Sequence, residues 1–273
     1  MKKISSAYLD FKDTLECGQV FRFKEKDGGY LVYSLDKCAF VKNEGDYALI
    51  DGDEYFENYF DLNGDYRKIT EKMRSFGIEK LSAAVDRHKG LRILKQDAYE
   101  ATASFIVSQN NNIPRIKKII ENLCAALGEK RRFAGEEYYS FPTAEAIANA
   151  PTDLLKGLGL GYRDVFIKGF AEKVCSGEIE MEALKSLDTV SLREKLVSVK
   201  GIGNKVADCA VLFGFNRFDS FPVDTWIEKL YFQDFKGELN DRKKISKYFV
   251  DMFGEFSGYA QQYLFFAKRE SEF

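Results

Sequence analysis

Residues 199–209 read VKGIGNKVADC, and this stretch decides how the rest of the chain is read. Gly201 and Gly203 stand one residue apart between two apolar-periodic runs. Glycine alone reaches positive φ without steric cost, so the spacing predicts a tight reversal between two helices. Upstream, Ser191 and Glu194 match a capping box and place the start of the first helix, with Leu192, Leu196 and Val197 as its apolar face. The second helix is expected from about Asn204, with Val206, Ala207, Ala210 and Val211 available to pack, so the hairpin covers 191–213. Backbone N–H groups at the start of that second helix, backed by its dipole, can hold a phosphate without a basic side chain.

Lys205 and Cys209 lie four residues apart and therefore project from one helical face. Lys205 is either a solvated side chain after a turn or a nucleophile. An amine attacks only when partly deprotonated, which calls for desolvation or nearby positive potential. Nineteen residues beyond Lys205, the segment FPVDTW sets Asp224 at the start of another helix. There it is an ordinary N-cap, or a cap that also stabilises positive charge developing nearby.

Working outward from the hairpin, two textures separate. From Asp97 onward, runs such as AYEATASFIVSQ and IPRIKKIIENLCAALG carry apolar residues at three- and four-residue intervals, the spacing of helices. Pro114 suits a first helical turn. Before residue 92, short β-rich runs are broken at DGG and EGD, which read as hairpin turns. The segment 66–77 reads as a helix packed on the resulting sheet. The fold class expected is α+β: a small amino-terminal antiparallel β-sheet domain over 1–92, followed by a larger helical region over 93–273.

Composition sets limits. The 273 residues are 45% hydrophobic and 31% charged, with a formal net charge of −2. Six basic side chains against two acidic ones in 113–132, and a second cluster of Arg242, Lys243, Lys244 and Lys247, leave a one-sided basic face open as a reading. From charge alone, solvated helix faces are the ordinary explanation of both clusters. Cys17, Cys38, Cys124, Cys175 and Cys209 have neither CxxC spacing nor an even count, which argues against a zinc site, an iron–sulfur loop and a disulfide framework. His88 is the single histidine, so triad catalysis and a multi-histidine metal site are disfavoured. Flanked by Arg87 and Lys89, it is expected to be exposed and is assigned no role. No signal peptide and no membrane span are read, so an intracellular location is expected.

Taken together with SFIVSQNNNIPRI at 104–116, GLGLGYRDVF at 157–166, ECGQVFRF at 16–23, YFDLNGDY at 59–66 and SGYAQQYLF at 257–265, the hairpin and its lysine resemble one family. The chain is similar to the eukaryotic-type 8-oxoguanine DNA glycosylase/AP lyases of the helix-hairpin-helix superfamily, over about residues 10–268. The resemblance implies a twisted antiparallel sheet domain followed by helical domains, a partner in double-stranded DNA carrying 8-oxoguanine, no cofactor or metal, and a monomer. It further implies action in the cytoplasm or nucleoid, or in the nucleus if the host is eukaryotic. By the same resemblance, Lys205 would attack C1′ of a flipped nucleotide and Asp224 would stabilise the charged sugar. The carbonyl of Gly18 would accept the N7 hydrogen of the oxidised base, Cys209 and Phe265 would sandwich it, and Gln261 would bond its pairing edge. Asn110 would fill the hole in the duplex, Arg115 and Arg163 would read an opposite cytosine, and Tyr162 would wedge beside it. Three residues depart from the pattern: Trp226 at a phosphate-contacting position, and Gln262 and Tyr263 beside the pocket. A monofunctional alkylbase glycosylase using water, and a non-catalytic hairpin clamp, are the alternative readings.

Overall fold

The computed structural model describes residues 1–271. Its amino-terminal part is a five-stranded antiparallel sheet of order β1-β5-β4-β3-β2, formed by Lys2–Ser5 (β1), Phe23–Lys26 (β2), Gly29–Ser34 (β3), Lys37–Glu44 (β4) and Tyr47–Gly52 (β5). The turns are where the sequence puts them. Lys26 pairs with Gly29 across Asp27 (φ 50°) and Gly28 (φ 73°), the two positive-φ residues of a two-residue hairpin. Glu44 pairs with Tyr47 around Gly45. One face of the sheet buries Val32, Val41, Ala48 and Ile50 against Phe11, Phe56 and Phe60. This small core is separate from that of the helical body.

The helix expected at 66–77 forms as Tyr66–Ser75, but it does not lie on the sheet. Its buried Tyr66 and Met73 belong to the large helical core, together with Leu81 and Val85 of helix Glu79–Arg87 and the last helix, Ser257–Arg269. The first 92 residues therefore hold two helices that pack with the carboxyl terminus, of which Glu79–Arg87 has no counterpart in the expected elements. A further hairpin, Lys130–Phe133 with Glu136–Tyr139, has no counterpart in the sequence reading. It consumes the basic run there: Arg131 pairs with Glu129, and Lys130 and Arg132 both pair with Glu137.

The ECGQVFRF segment joins the two parts. Arg22 bonds Glu100 (3.0 Å) and the carbonyl of Tyr139 (2.7 Å), while Gln19 bonds the carbonyl of Arg92 (2.7 Å) and receives the N–H of Leu94 (2.8 Å). A polar side chain buried here needs partners, and both have several. His88, expected at the surface, is buried: its Nδ1 lies 3.0 Å from Asp13 Oδ2, and its ring packs against Phe266.

Candidate active site

The hairpin is built as anticipated, with a different cap. Helix Thr189–Val197 starts at Asp188, whose carboxylate accepts from the N–H groups of Val190 (3.0 Å) and Ser191 (2.9 Å). Asp188 thus takes the place given to the Ser191–Glu194 box, because a carboxylate one turn earlier reaches the free N–H groups first. Gly201 adopts φ 93°, and a Cβ there would fall 2.3 Å from Cγ of Phe166. Both conformation and close packing demand glycine. Gly203 is the opposite case, for a Cβ there would meet nothing within 4 Å. It caps helix Asn204–Cys209 with no side chain covering the first N–H groups, and the helix continues into a π-helical turn at Ala210–Gly214.

Lys205 stands on the first turn of that helix, its Nζ 5.2 Å from the centre of the Phe105 ring. It lines a cleft of about 830 Å3, together with Asn110, Arg115, Tyr162, Gly203, Asp208, Asp224, Arg242 and Lys243. Asp224 caps Thr225–Gln233 as expected, accepting through Oδ1 from Trp226 N (2.9 Å) and Ile227 N (3.0 Å). Asp208, which the sequence reading passed over, is buried and ion-paired to Arg193 of the preceding helix, so it ties the two hairpin helices together. Burial pushes its carboxyl upward, and the Arg193 guanidinium works against that. Cys209 is buried behind Lys205. Its thiol is pushed up to about 11 by burial, with the Lys205 ammonium opposing, so at neutral pH it is a protonated, apolar wall.

The asparagine loop forms the facing edge. Asn112 caps Ile113–Leu127 by accepting from Arg115 N (3.0 Å), and Asn110 sits in the left-handed region at φ 49°, which asparagine tolerates. Gln109 donates to the carbonyl of Gly201 (2.9 Å). Tyr162 is 52% exposed and lines the cleft. The two arginines part company. Arg115 is exposed at the cleft, whereas Arg163 is 4% exposed, with Nε on the carbonyl of Gln109 (2.7 Å), Nη2 on that of Asn110 (2.9 Å) and Nη1 on that of Leu160 (3.1 Å). It buttresses the loop from beneath.

The residues expected to grip the base are set back from this cleft. Gly18 (φ 86°) lines a second cavity, of about 450 Å3, with Glu16, Lys117 and Arg269. The Phe265 ring lies against it: a Cβ at Gly18 would be 3.3 Å from Phe265 Cε1. Gln261 is 4% exposed and its Oε1 has no hydrogen-bond partner. The departures next to it turn away. Gln262 donates to the carbonyl of Cys17 (2.9 Å), and the fully buried Tyr263 reaches the carbonyl of Leu91 (3.4 Å). Trp226 is half-buried beneath the Lys229 ammonium, 4.6 Å away. Of the second basic cluster, Arg242 and Lys243 line the cleft, although Arg242 is paired with Glu228.

A hairpin open to a phosphate, with an amine and a capping carboxylate on one cleft, is the framework of a base-excision repair protein. The chain belongs to the HhH-GPD superfamily of base excision DNA repair proteins, whose family model matches residues 103–253. Residues 2–102 match the 8-oxoguanine DNA glycosylase N-terminal domain. The probable N-glycosylase/DNA lyase of Methanothermobacter thermautotrophicus is 30% identical over 79% of this chain and 73% of its own length. Among solved structures, the Clostridium acetobutylicum 8-oxoguanine glycosylase/lyase, bound to double-stranded DNA with cytosine opposite 8-oxoguanine, superposes with a TM-score of 0.93. It is 33% identical, over 99% of this chain and 94% of that one. MBOgg1, in complex with a low-affinity DNA ligand, has a TM-score of 0.92 at 37% identity and the same coverage. Among the described residues, no helix is long and apolar enough to cross a membrane.

Proposed function

We propose that this chain is a bifunctional DNA glycosylase/AP lyase that excises 8-oxoguanine from duplex DNA, preferentially opposite cytosine. The observation carrying this reading is Lys205 on the wall of a cleft that also holds Asp224, Asn110 and Arg115. The open N–H groups after Gly203 grip backbone phosphate, which positions the duplex without reading its sequence. The damaged nucleotide leaves the stack for a few kcal/mol, offset by Asn110 in the vacated space, Tyr162 beside it and the base against Phe265, Cys209 and Gln261. Arg115 hydrogen-bonds the opposite cytosine, while Arg163, its donors held by backbone carbonyls, supports the loop that carries Asn110.

The neutral Lys205 amine gives its lone pair to C1′ to form the Nζ–C1′ bond, while the bond from C1′ to the base breaks and the base leaves with the electrons of that bond. The Asp224 carboxylate stabilises the cationic sugar in the transition state. The sugar ring opens to a Schiff base on Nζ, C2′ loses a proton, and the C3′–O bond breaks by β-elimination. The nucleophile is supplied by the chain, so no cofactor enters a step. Gly18 separates lesion from guanine, because only the oxidised base carries a hydrogen on N7. The enzyme works as a monomer on the host's DNA, in cytoplasm, nucleoid or nucleus.

Borohydride trapping on duplexes carrying 8-oxoguanine opposite each of the four bases tests this. The expected result is a covalent adduct, strongest opposite cytosine and lost in Lys205→Gln, which still binds the lesion. Base release without an adduct would give the monofunctional, water-using chemistry. Neither release nor adduct would leave a DNA clamp.

A further inference from the structure

Gln261, Phe265 and Arg269 fall four residues apart on the last helix and so stand one above another on a single face. The first two flank the proposed base slot, and Arg269 extends that row. Its Nη2 donates to the carbonyl of Glu16 (2.6 Å), which brings the guanidinium to the loop containing Gly18. The group packs over the rings of Phe265 (5.6 Å) and Phe266 (5.0 Å), and Nε and Nη2 also reach Glu270 (3.1 and 3.0 Å). That leaves Nη1, which is buried with no hydrogen-bond partner. It lies 3.1 Å from where a Cβ of Gly18 would be. The other end of the row carries a second orphan, the Oε1 of Gln261. Buried polar atoms without partners are uncommon and costly. A donor and an acceptor on either side of one aromatic ring suit a planar guest that supplies the complementary groups.

We propose that Arg269 is a specificity-determining residue that donates through Nη1 to the 8-oxo oxygen of the lesion. Oxidation converts the N7–C8 edge of guanine into a cyclic urea, an N–H beside a carbonyl. With N7–H given to the Gly18 carbonyl, the adjacent oxygen needs a donor from the Gly18 side, where the free arm of Arg269 lies. Gly18 and Arg269 then read the two halves of the oxidised edge together, and unmodified guanine satisfies neither. The inference rests on the base slot proposed above.

The test is single-turnover excision by wild type and Arg269→Met on three duplexes: 8-oxoguanine, 8-thioguanine and a preformed abasic site. The 8-thio base keeps N7–H and replaces the oxygen by a poor acceptor. Losing one charge-assisted hydrogen bond should slow 8-oxoguanine excision about ten-fold. Nicking at the abasic site, which contains no base to read, should be unchanged. The wild-type preference for the 8-oxo over the 8-thio base should collapse in the variant. Equal excision by both proteins, an equal loss at the abasic site, or an unaltered oxo/thio ratio would each overturn the proposal. If the methionine variant does not fold, Arg269→Lys, which keeps the charge and loses the planar arm, is read through the same ratios. A wild type that nicks abasic sites but leaves 8-oxoguanine in place would overturn the slot itself, and this contact with it.

Discussion

Gln109 donates from Nε2 to the carbonyl oxygen of Gly201 across 2.9 Å, while Arg163 Nε holds the Gln109 carbonyl at 2.7 Å from the other side. Three loops distant in sequence, around 110, 162 and 201, are thereby fastened to one another. Asn110, proposed to enter the duplex, and Gly203, proposed to meet the phosphate, are carried on the same assembly.

Gln109→Ala removes one link of this chain. A hydrogen bond of about 1 kcal/mol, if expressed in the flipped complex, is roughly five-fold in rate. Excision of 8-oxoguanine should slow by that amount while the borohydride adduct at Lys205 still forms, as single-turnover assays with parallel trapping would reveal. An adduct lost altogether would mean that Gln109 touches the chemistry rather than the loop.

The two arginines expected from the sequence to face the opposite base should behave unlike each other. Arg115 is exposed, so Arg115→Ala should alter stability by no more than about 0.5 kcal/mol, yet flatten the preference for cytosine. Arg163→Ala removes a buried guanidinium and the donor it gives to the carbonyls of Gln109, Asn110 and Leu160, and should cost about 3 kcal/mol, visible as a lower Tm before any activity is assayed. Equal melting temperatures for the two variants would contradict the buttress.

Substitution at Gly18 will not act through the N7 contact alone. In Gly18→Ala, a residue with φ 86° acquires a Cβ placed 3.1 Å from Arg269 Nη1 and 3.3 Å from Phe265. The left-handed conformation alone costs about 1–2 kcal/mol. Thermal stability and excision should therefore fall together, whereas Lys205→Gln should lose excision with its melting curve intact. Calorimetry beside kinetics separates the two.

Alkaline pH should destabilise the fold through its thiols. Burial raises Cys209 and Cys124 to about 11, and Cys17 and Cys38 to about 12, from an ordinary 9.0. Above pH 9 the unfolded chain releases these protons and the folded one keeps them, so stability is whole below about 9 and declines as pH rises toward 11–12. A Tm that stays level from pH 7 to 11 would be inconsistent with this. At pH 8, a thiol reagent should label the exposed Cys175 before Cys209.

What could be read from the sequence was what turn chemistry and helical spacing encode. Gly201, Gly203, Asp224 and the two hairpin turns of the sheet all announce themselves through backbone geometry, and Lys205 is located relative to them. Side chains whose roles depend on partners far along the chain were opaque. Nothing local tells that Asp208 pairs with Arg193, that Arg163 turns under its loop, or that His88 is buried despite charged neighbours on both sides. Capping was misjudged where two candidates competed, since Ser191 and Glu194 form a recognisable box while Asp188, three residues earlier, takes the N–H groups. Arg269 offered no motif at all. Its position emerges only once the last helix is seen against residues 16–18.

That last contact spans 253 residues, joining Arg269 to Glu16. A chain that emerges from the ribosome amino terminus first has the Gly18 loop long before the Phe265 and Arg269 wall. The hairpin, Lys205 and Asp224 are already synthesised by then, so on the proposed roles the nascent protein acquires its nucleophile before the surface assigned to telling damage from ordinary guanine.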